Sequence, residues 1–250
     1  MKNLKEMTLE ELENFFVSLG QPTYRAKQVF QWMYRGQSNF SEMTDLPRGL
    51  VRELQDKARV GTVEIYKKYA SSIDSTVKYV FLLEDENIVE GVKMEYSFGV
   101  SACISSQVGC PMGCAFCAST EDGVVRNLTC GEMADQVLTI EGDAGKKVSR
   151  VVVMGSGEPL LNYDELVKFL RLLNAPQAFN ISFRRITVST CGIVPEIMRL
   201  ADEQMPVTLA ISLHAPKDSL RSNIMPVNRR YPILQLLDAC KYYIMKTNRR

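Results

Sequence analysis

Three cysteines within eight residues form the motif of this sequence that is richest in possible chemistry. Cys110, Cys114 and Cys117 are spaced as C-x3-C-x2-C, in a segment whose glycines and proline favour a loop over a helix. Three thiolates so close in sequence converge only where the loop wraps around a bound group. An iron–sulfur cubane normally takes four cysteine ligands. The motif therefore predicts a [4Fe-4S] cluster with one iron left open to a small molecule.

Two other uses of the cysteines fit the sequence less well. A zinc site completed by His214, the only histidine, or by Cys130 is the alternative, but zinc sites are usually built from paired C-x2-C units. A disulfide framework does not fit seven cysteines in a chain without a secretion signal, which indicates a reducing, cytoplasmic location. The iron–sulfur interpretation is favoured.

The cysteine loop opens a region in which strand and helix patterns alternate. Strands are predicted over Val100–Ile104, Arg150–Met154, Arg185–Ser189 and Val207–Leu213, and helices over Cys130–Glu141, Tyr163–Leu173, Val194–Glu203 and Tyr231–Met245. Such alternation is typical of an α/β fold with a parallel sheet and right-handed crossovers. Ligands of these folds bind at the carboxyl ends of the strands, which is where the cysteine loop begins.

Two regions precede this α/β core of residues 99–250. Residues 1–60 predict a helical accessory domain, with a capping box at Thr8–Glu11, a second helix over Tyr24–Arg35 and a third from Pro47. Residues 61–98 change to a period of two and predict an antiparallel β meander that links the helices to the core.

Composition narrows the class of protein but not its partner. The 250 residues are 46% hydrophobic and 24% charged, as in ordinary globular chains, and no apolar run is long enough to cross a bilayer. The net charge of +1 does not indicate a nucleic-acid partner, so any RNA contact must be local. Four basic pairs are candidates for phosphate contacts, although each alone is more typical of a solvated face. They are Lys67-Lys68, Arg184-Arg185, Arg229-Arg230 and Arg249-Arg250.

The segment Cys103–Cys117 resembles the signature of the RlmN/Cfr family of radical S-adenosylmethionine (SAM) RNA adenine methyltransferases. Further matching blocks are Gly155–Leu160, Ser189–Gly192, Ser212–Pro216 and Ile224–Arg229. The resemblance implies a partial (β/α) radical-SAM barrel behind the helical domain and the meander. It also implies methylation of adenine C2 in large-subunit (23S) ribosomal RNA, with tRNA as a further candidate substrate. Methylation at C8 is the alternative within the family.

The same resemblance assigns roles to individual residues. The cluster ligands are Cys110, Cys114 and Cys117, and the SAM-binding residues are Gly157, Glu158, Ser189, Ser212, Leu213 and His214. Glu90 corresponds to a proton acceptor. Cys103 corresponds to a thiol that resolves a covalent protein–RNA intermediate by forming a disulfide with a methyl-carrying cysteine. Judged from the residues alone, Glu90 is typical of a solvent-facing carboxylate, Cys103 of a buried strand cysteine and His214 of a structural histidine.

The family's chemistry implies further partners and a longer chain. One SAM molecule methylates a cysteine, and a second yields a 5′-deoxyadenosyl radical that takes hydrogen from the S-methyl group. An electron donor such as flavodoxin or ferredoxin, a monomer and no membrane partner are implied. No family role corresponds to Cys130, Cys191 and Cys240, so we expect them to be core residues. The methyl-carrying cysteine of the family lies downstream of the matched stretch. We therefore expect a chain truncated after Arg250, and a catalytically incomplete fragment that binds SAM and RNA is the second alternative.

Overall fold

Eleven β-strands and eight α-helices make up residues 1–249, the part of the chain that the computed structural model describes. The strands are β1 (Lys2–Asn3), β2 (Ala58–Arg59), β3 (Glu64–Ala70), β4 (Val77–Leu82), β5 (Ile88–Tyr96), β6 (Gly99–Ile104), β7 (Gln107–Gly109), β8 (Val124–Asn127), β9 (Val148–Val153), β10 (Ile186–Thr190) and β11 (Thr208–Ile211). The helices are α1 (Leu9–Ser18), α2 (Thr23–Met33), α3 (Arg48–Lys57), α4 (Cys130–Ala144), α5 (Tyr163–Asn174), α6 (Val194–Asp202), α7 (Asp218–Ile224) and α8 (Ile233–Thr247).

Seven strands form one mixed sheet in the order β11-β10-β9-β6-β5-β4-β3. β6, β9, β10 and β11 are parallel, and β5, β4 and β3 continue the sheet as an antiparallel meander. The predicted α/β class, with four parallel strands, an N-terminal helical region and a meander, is confirmed. Because β5 pairs directly with β6, the meander extends the core sheet at its edge.

The two faces of the sheet differ in what covers them. On one face Ala102, Val151 and Val188 are fully buried in the core that the sheet shares with the helices. The opposite face, here called the open face, is defined by Glu90, Cys103 and Ser189 and their cross-strand neighbours. Val92 pairs with Cys103, Cys103 with Val152 and Val152 with Thr187, and directly paired residues share a face. Period two then places Glu90 and Ser189 on that same face.

The N-terminal helices are anchored to the core by a buried ion pair. α1 begins with the predicted capping box, in which Thr8 and Glu11 cap each other's backbone N–H groups. Pro47 precedes α3 as its cap residue rather than lying in its first turn. Lys5 forms an ion pair with Asp135 of α4, and both side chains are almost fully buried. The division into domains at residues 60 and 98 stays a prediction.

Periodicity located the long elements but not the short ones near the cysteine loop. All four predicted core strands and all four core helices are present, with ends shifted by at most three residues. The β7–β8 hairpin and α7 were not predicted, because elements of three to seven residues are too short to show a period. Within residues 1–249 none of the helices combines the length and apolar character needed to span a bilayer.

Candidate active site

The cysteine loop is clamped between the two strands of a hairpin. β7 leads into the loop and β8 leads out of it. Gly109 has a φ of +76°, and a Cβ atom there would lie 2.0 Å from the carbonyl oxygen of Gly123, so only glycine fits. The Cys110 N–H donates to that same oxygen at 2.9 Å. This backbone clamp fixes the position from which the first thiol starts.

All three loop thiols line one cavity of about 140 Å³ at the carboxyl ends of the parallel strands. Most other lining residues come from the segments at the ends of β9, β10 and β11. They are Met154, Gly155, Gly157, Glu158, Ser189, Thr190, Cys191, Ser212 and His214, joined by Met112, Phe116 and Met225. Burial raises the pKa of the Cys110 and Cys114 thiols. The structure thus brings together residues from all five matching blocks of the sequence.

The donor set at this cavity fits the predicted cluster. The three loop cysteines beside one cavity supply the sulfur ligands that iron–sulfur clusters take. Of the two residues considered for completing a zinc site, Cys130 lies outside the cavity, with its sulfur directed at the carbonyl oxygens of Lys5 and Glu6. His214 lines the cavity, and its ring centre lies 4.5 Å from that of Phe116. Across residues 1–249 no three His, Cys, Asp or Glu side chains are grouped to hold a single metal ion.

The glycines of the turn after β9 allow its backbone to touch the β6–β7 connection. A Cβ atom on Gly155 would lie 2.8 Å from the Ile104 carbonyl oxygen. Gly157 has a φ of +104°, and a Cβ atom there would lie 2.8 Å from the Gln107 backbone nitrogen. Side chains at either position would push the turn away from the cysteine hairpin. The Gly-x-Gly pattern therefore provides a close backbone cradle at the cavity wall.

Glu158 is a buried carboxylate fixed by backbone N–H groups. It is 3% exposed, and its two oxygens accept hydrogen bonds from Leu160 at 3.1 Å and Cys191 at 2.8 Å. Its own N–H donates to the Gln107 side chain at 2.8 Å. Burial raises the pKa of Glu158. A carboxylate held in this way presents its remaining lone pairs to a cationic group such as an ammonium.

The predicted SAM-binding residues Ser189, Ser212, Leu213 and His214 lie at the ends of β10 and β11, and all but one line the cavity. Ser189 is on the open face at the end of β10, and the Ser212 N–H donates to the Thr190 carbonyl at 2.9 Å. His214 has a φ of +55°, an uncommon backbone conformation for a residue other than glycine. Leu213 is the exception, because its side chain is exposed and lies outside the lining.

Glu90 and Cys103 lie on the open face outside the cavity lining. Cys103 is half-buried, and burial raises the pKa of its thiol. The Glu90 side chain is 57% exposed and forms an ion pair with Lys78 at 2.6 Å. Its carbonyl accepts a hydrogen bond from the Ser105 hydroxyl, which itself accepts one from the Ser156 N–H. Glu90 therefore lies at the same end of the sheet as the cavity, and Ser105 links its backbone to the turn that follows β9.

Three residues near the cavity escaped the sequence reasoning. Arg221 is fully buried and donates to the segments that follow β10 and β11. Gln136 of α4 accepts a hydrogen bond from the Ser105 N–H and donates one to the Ser105 carbonyl. Its position among apolar residues of the predicted helix is the signal by which it could have been found. Cys191 was expected to be a core residue, and it is buried as expected but also lines the cavity.

All seven cysteines fall within residues 1–249, and each is a free thiol in the structure. Cys130 is fully buried and Cys240 is half-buried against the core, in agreement with their predicted structural roles. Cys103 has no disulfide partner there, so the disulfide implied by the resemblance is not part of this structure.

The basic pairs lie on different parts of the surface. Arg229 and Arg230 are exposed just beyond α7. Lys68 forms an ion pair with Asp143 at 2.6 Å. Arg249 donates to the Thr208 hydroxyl at 2.9 Å, at the opposite end of β11 from the cavity. Arg250 lies outside the described residues.

Two family descriptions match the chain. Residues 104–247 match the radical SAM superfamily, and residues 2–60 match the N-terminal domain described for ribosomal RNA large subunit methyltransferases. These matched ranges contain the cysteine loop and the N-terminal helices respectively.

Similar proteins cover the whole chain. The probable dual-specificity RNA methyltransferase RlmN of Thermoanaerobacter sp. (strain X514) is 53% identical over 251 residues, which are 100% of this chain and 73% of that protein. The protein of the same description from Alkaliphilus oremlandii (strain OhILAs) is 53% identical over 248 residues, 99% of this chain and 72% of its own length. The crystal structure of a radical SAM methyltransferase from Sphaerobacter thermophilus superposes with a TM-score of 0.93 at 41% identity, covering 100% of this chain and 74% of that one.

Proposed function

The chain belongs to the RlmN family of radical SAM RNA methyltransferases, and from this premise we propose that it methylates C2 of an adenine in large-subunit ribosomal RNA. The relatives' description as dual-specificity enzymes supports a second RNA substrate, for which tRNA is the candidate. Their description as RlmN favours C2 over the C8 alternative.

The observation that carries this proposal is the single cavity shared by the cysteine loop, the glycine turn and the two strand-end serines. Cys110, Cys114 and Cys117 would hold a [4Fe-4S] cluster. The amino and carboxylate groups of SAM would lie against Gly157 and Glu158, and its nucleoside against the wall that follows β10 and β11. When bound, the two groups supply the electron, the methyl group and the radical chemistry.

The protein's own residues then position the cofactor and handle protons. Glu158 orients a cationic ammonium because its carboxylate is already held in place by two N–H groups. Leu213 contributes its backbone rather than its side chain, because its carbonyl points inward to Arg221 while the side chain is exposed.

Glu90 and Cys103 serve the RNA side of the reaction. Glu90 accepts the proton from the adenine carbon, since its carboxylate is accessible from the open face, where it forms an ion pair with Lys78. Cys103 supplies the thiol that would form a disulfide with the methyl-carrying cysteine, expected downstream of the matched stretch, as the bond between that sulfur and the RNA-bound carbon breaks. Burial raises the pKa of the Cys103 thiol. An adenine in folded RNA reaches this face only when it is unstacked, which favours a loop or bulge base.

The remaining partners follow from the chemistry of the site. The cluster needs a one-electron donor, for which a flavodoxin or ferredoxin is the candidate. A ribosomal RNA substrate and free thiols favour a cytoplasmic location. A monomer without a membrane partner is what the family resemblance implies.

Mass spectrometry of adenosines tests the proposed reaction. Large-subunit RNA from cells with the intact gene should contain 2-methyladenosine, and RNA from cells in which the gene is disrupted should lack it. Loss of 8-methyladenosine with 2-methyladenosine unchanged would instead identify the C8 activity.

A further inference from the structure

Arg221 is the only charged side chain with no exposed surface in residues 1–249. Its guanidinium donates four hydrogen bonds, and every acceptor is a carbonyl or amide oxygen rather than a carboxylate. Burying a cation with no carboxylate bonded to it is costly unless its N–H groups are satisfied. Such a residue needs a reason to be at this position.

The acceptors belong to three segments that build the cavity wall. Nη2 donates to the Cys191 carbonyl at 2.6 Å and to the Ser212 carbonyl at 3.2 Å, and Nε donates to the Leu213 carbonyl at 3.2 Å. Cys191 directly follows β10, and the other two residues directly follow β11. Nη1 donates to the Asn228 amide oxygen at 2.8 Å. One planar group therefore fixes the spacing between the ends of two strands.

The helix that carries Arg221 also contacts the cysteine loop. The carbonyl of Ile224, the last residue of α7, accepts a hydrogen bond from the Ala115 N–H at 2.9 Å. Ala115 directly follows Cys114, and Met225, the next residue after α7, lines the cavity. α7 thus bonds to the thiol side of the cavity through its carboxyl end and to the strand-end wall through Arg221.

We propose that Arg221 is a positioning residue that sets the width of the cofactor cavity, by holding the strand-end wall at a fixed distance from the cysteine loop. This inference rests on the proposed function, because the ligand whose fit depends on that width is SAM. The fork of the guanidinium is what the site requires, since its N–H groups point in fixed directions to four oxygens. A lysine ammonium retains the charge but reaches at most three acceptors from a single point.

The test compares Arg221→Lys with the wild-type protein after anaerobic reconstitution with iron and sulfide. The dissociation constant of SAM is measured by equilibrium dialysis, together with iron content and the electron paramagnetic resonance spectrum of the reduced cluster. We expect iron content equal to that of wild type and SAM binding weakened about tenfold, equivalent to about 1.4 kcal/mol. The change that SAM induces in the cluster spectrum should require correspondingly more SAM.

Tyr243→Phe is the matched control. Tyr243 is also buried, and its hydroxyl donates to the Val207 carbonyl at 2.8 Å, just before the amino end of β11. This variant loosens the same strand at the end away from the cavity, so SAM binding should match wild type. Where Arg221→Lys yields no folded protein, Ser222→Ala replaces it. That change removes one hydrogen bond, 2.8 Å long, that orients the Asn228 amide, and SAM should bind about threefold more weakly.

SAM binding by the variant within twofold of wild type would overturn the positioning role. Equal weakening in Arg221→Lys and Tyr243→Phe would also overturn it, because the effect would then be one of general stability. Failure of the wild-type protein to bind either cluster or SAM would instead contradict the proposed function, so the two failures are distinguishable.

Discussion

The cofactor cavity and the antiparallel extension (β3–β5) share one sheet, yet their polar side chains are held in opposite ways. At the cavity, Glu158 and Arg221 are buried and bonded to backbone groups of neighbouring segments. On the extension, Glu90 is exposed and its side chain has a single surface ion pair. Fixed directions suit a small cofactor that must be held in one geometry. An accessible carboxylate suits a large substrate that arrives from solvent.

Replacing one cluster ligand should abolish cluster binding at the cofactor cavity. Cys114→Ala removes one of the three loop sulfurs assigned as cluster ligands, and we expect reconstituted protein to lose most of its iron, sulfide and brown colour. Iron and sulfide analysis with visible absorption measures this. Cys240→Ala is the control, since that half-buried thiol of α8 lies outside the cavity and its loss should leave the cluster intact. A Cys114→Ala protein with full iron content would contradict the cluster assignment.

Replacing Glu90 on the extension should lower the methylation rate without unfolding the protein. Glu90→Gln removes a proton acceptor worth about a hundredfold or more in rate, but it breaks only a surface ion pair, so stability should fall by less than about 1 kcal/mol. Introduced at the chromosomal gene, it should lower the 2-methyladenosine content of ribosomal RNA strongly, while iron content and SAM affinity of the purified protein stay unchanged. Glu64→Gln, an exposed carboxylate on β3, provides the control. Normal methylation in the Glu90 variant would exclude it as the base.

The residues of the cofactor cavity differ in how far the sequence predicts their positions. Strand order along the chain and the rule that ligands bind at strand carboxyl ends were enough to gather Cys110, Glu158 and Ser189 into one site. Burial was predictable for Cys191 from its place beside an apolar strand. Its presence in the cavity wall was not, because period-two reasoning assigns a face but not the curvature that brings strand ends together.

Residues that act through backbone contacts left no readable pattern. Arg221 lies on a seven-residue helix that shows no period, and its four acceptors are oxygens of residues 7 to 30 positions away. For Leu213 the motif match predicts the position, but it does not state whether the side chain or the backbone is used. The position of Glu90 on the open face followed from register, which only the β4–β5 and β5–β6 pairings of the folded sheet define.

The glycine cradle gives a smaller, purely structural contrast. Gly157→Ala should destabilise the protein by about 2–3 kcal/mol, since its φ of +104° disfavours a side chain and the new Cβ atom would meet the Gln107 backbone. Gly142→Ala in α4 is the matched control, because a Cβ atom there meets nothing within 4 Å. Helical alanine should instead stabilise by about 0.5–1 kcal/mol. Urea unfolding measures both, and equal effects of the two changes would contradict the cradle.

The smallest expected effect concerns the ion pair that joins the two regions. Asp85, in the β4–β5 turn of the extension, accepts a hydrogen bond from Arg126 of β8 at 2.6 Å, and Arg126 also pairs with Glu132 at 2.7 Å. The Arg126 side chain holds the pKa of Asp85 well below its usual range. A carboxyl whose folded pKa is lowered stabilises the fold above its unfolded pKa, about 3.9, and this contribution disappears as pH falls through the folded pKa.

Asp85→Asn should therefore lower the free energy of unfolding at neutral pH by less than about 1 kcal/mol, because the Asp85 side chain is 41% exposed. The difference from wild type should shrink as pH falls below about 4, which urea unfolding at a series of pH values measures. Asp238→Asn, which breaks the exposed pair with Lys241 on α8, controls for generic surface charge. SAM affinity should not change, since the cavity is held by its own backbone bonds. If Asp85→Asn lowered the free energy of unfolding by more than about 2 kcal/mol, or weakened SAM binding, the extension and the cavity would be energetically coupled. The contrast between an accessible Glu90 and a separately fixed cofactor site would then be wrong.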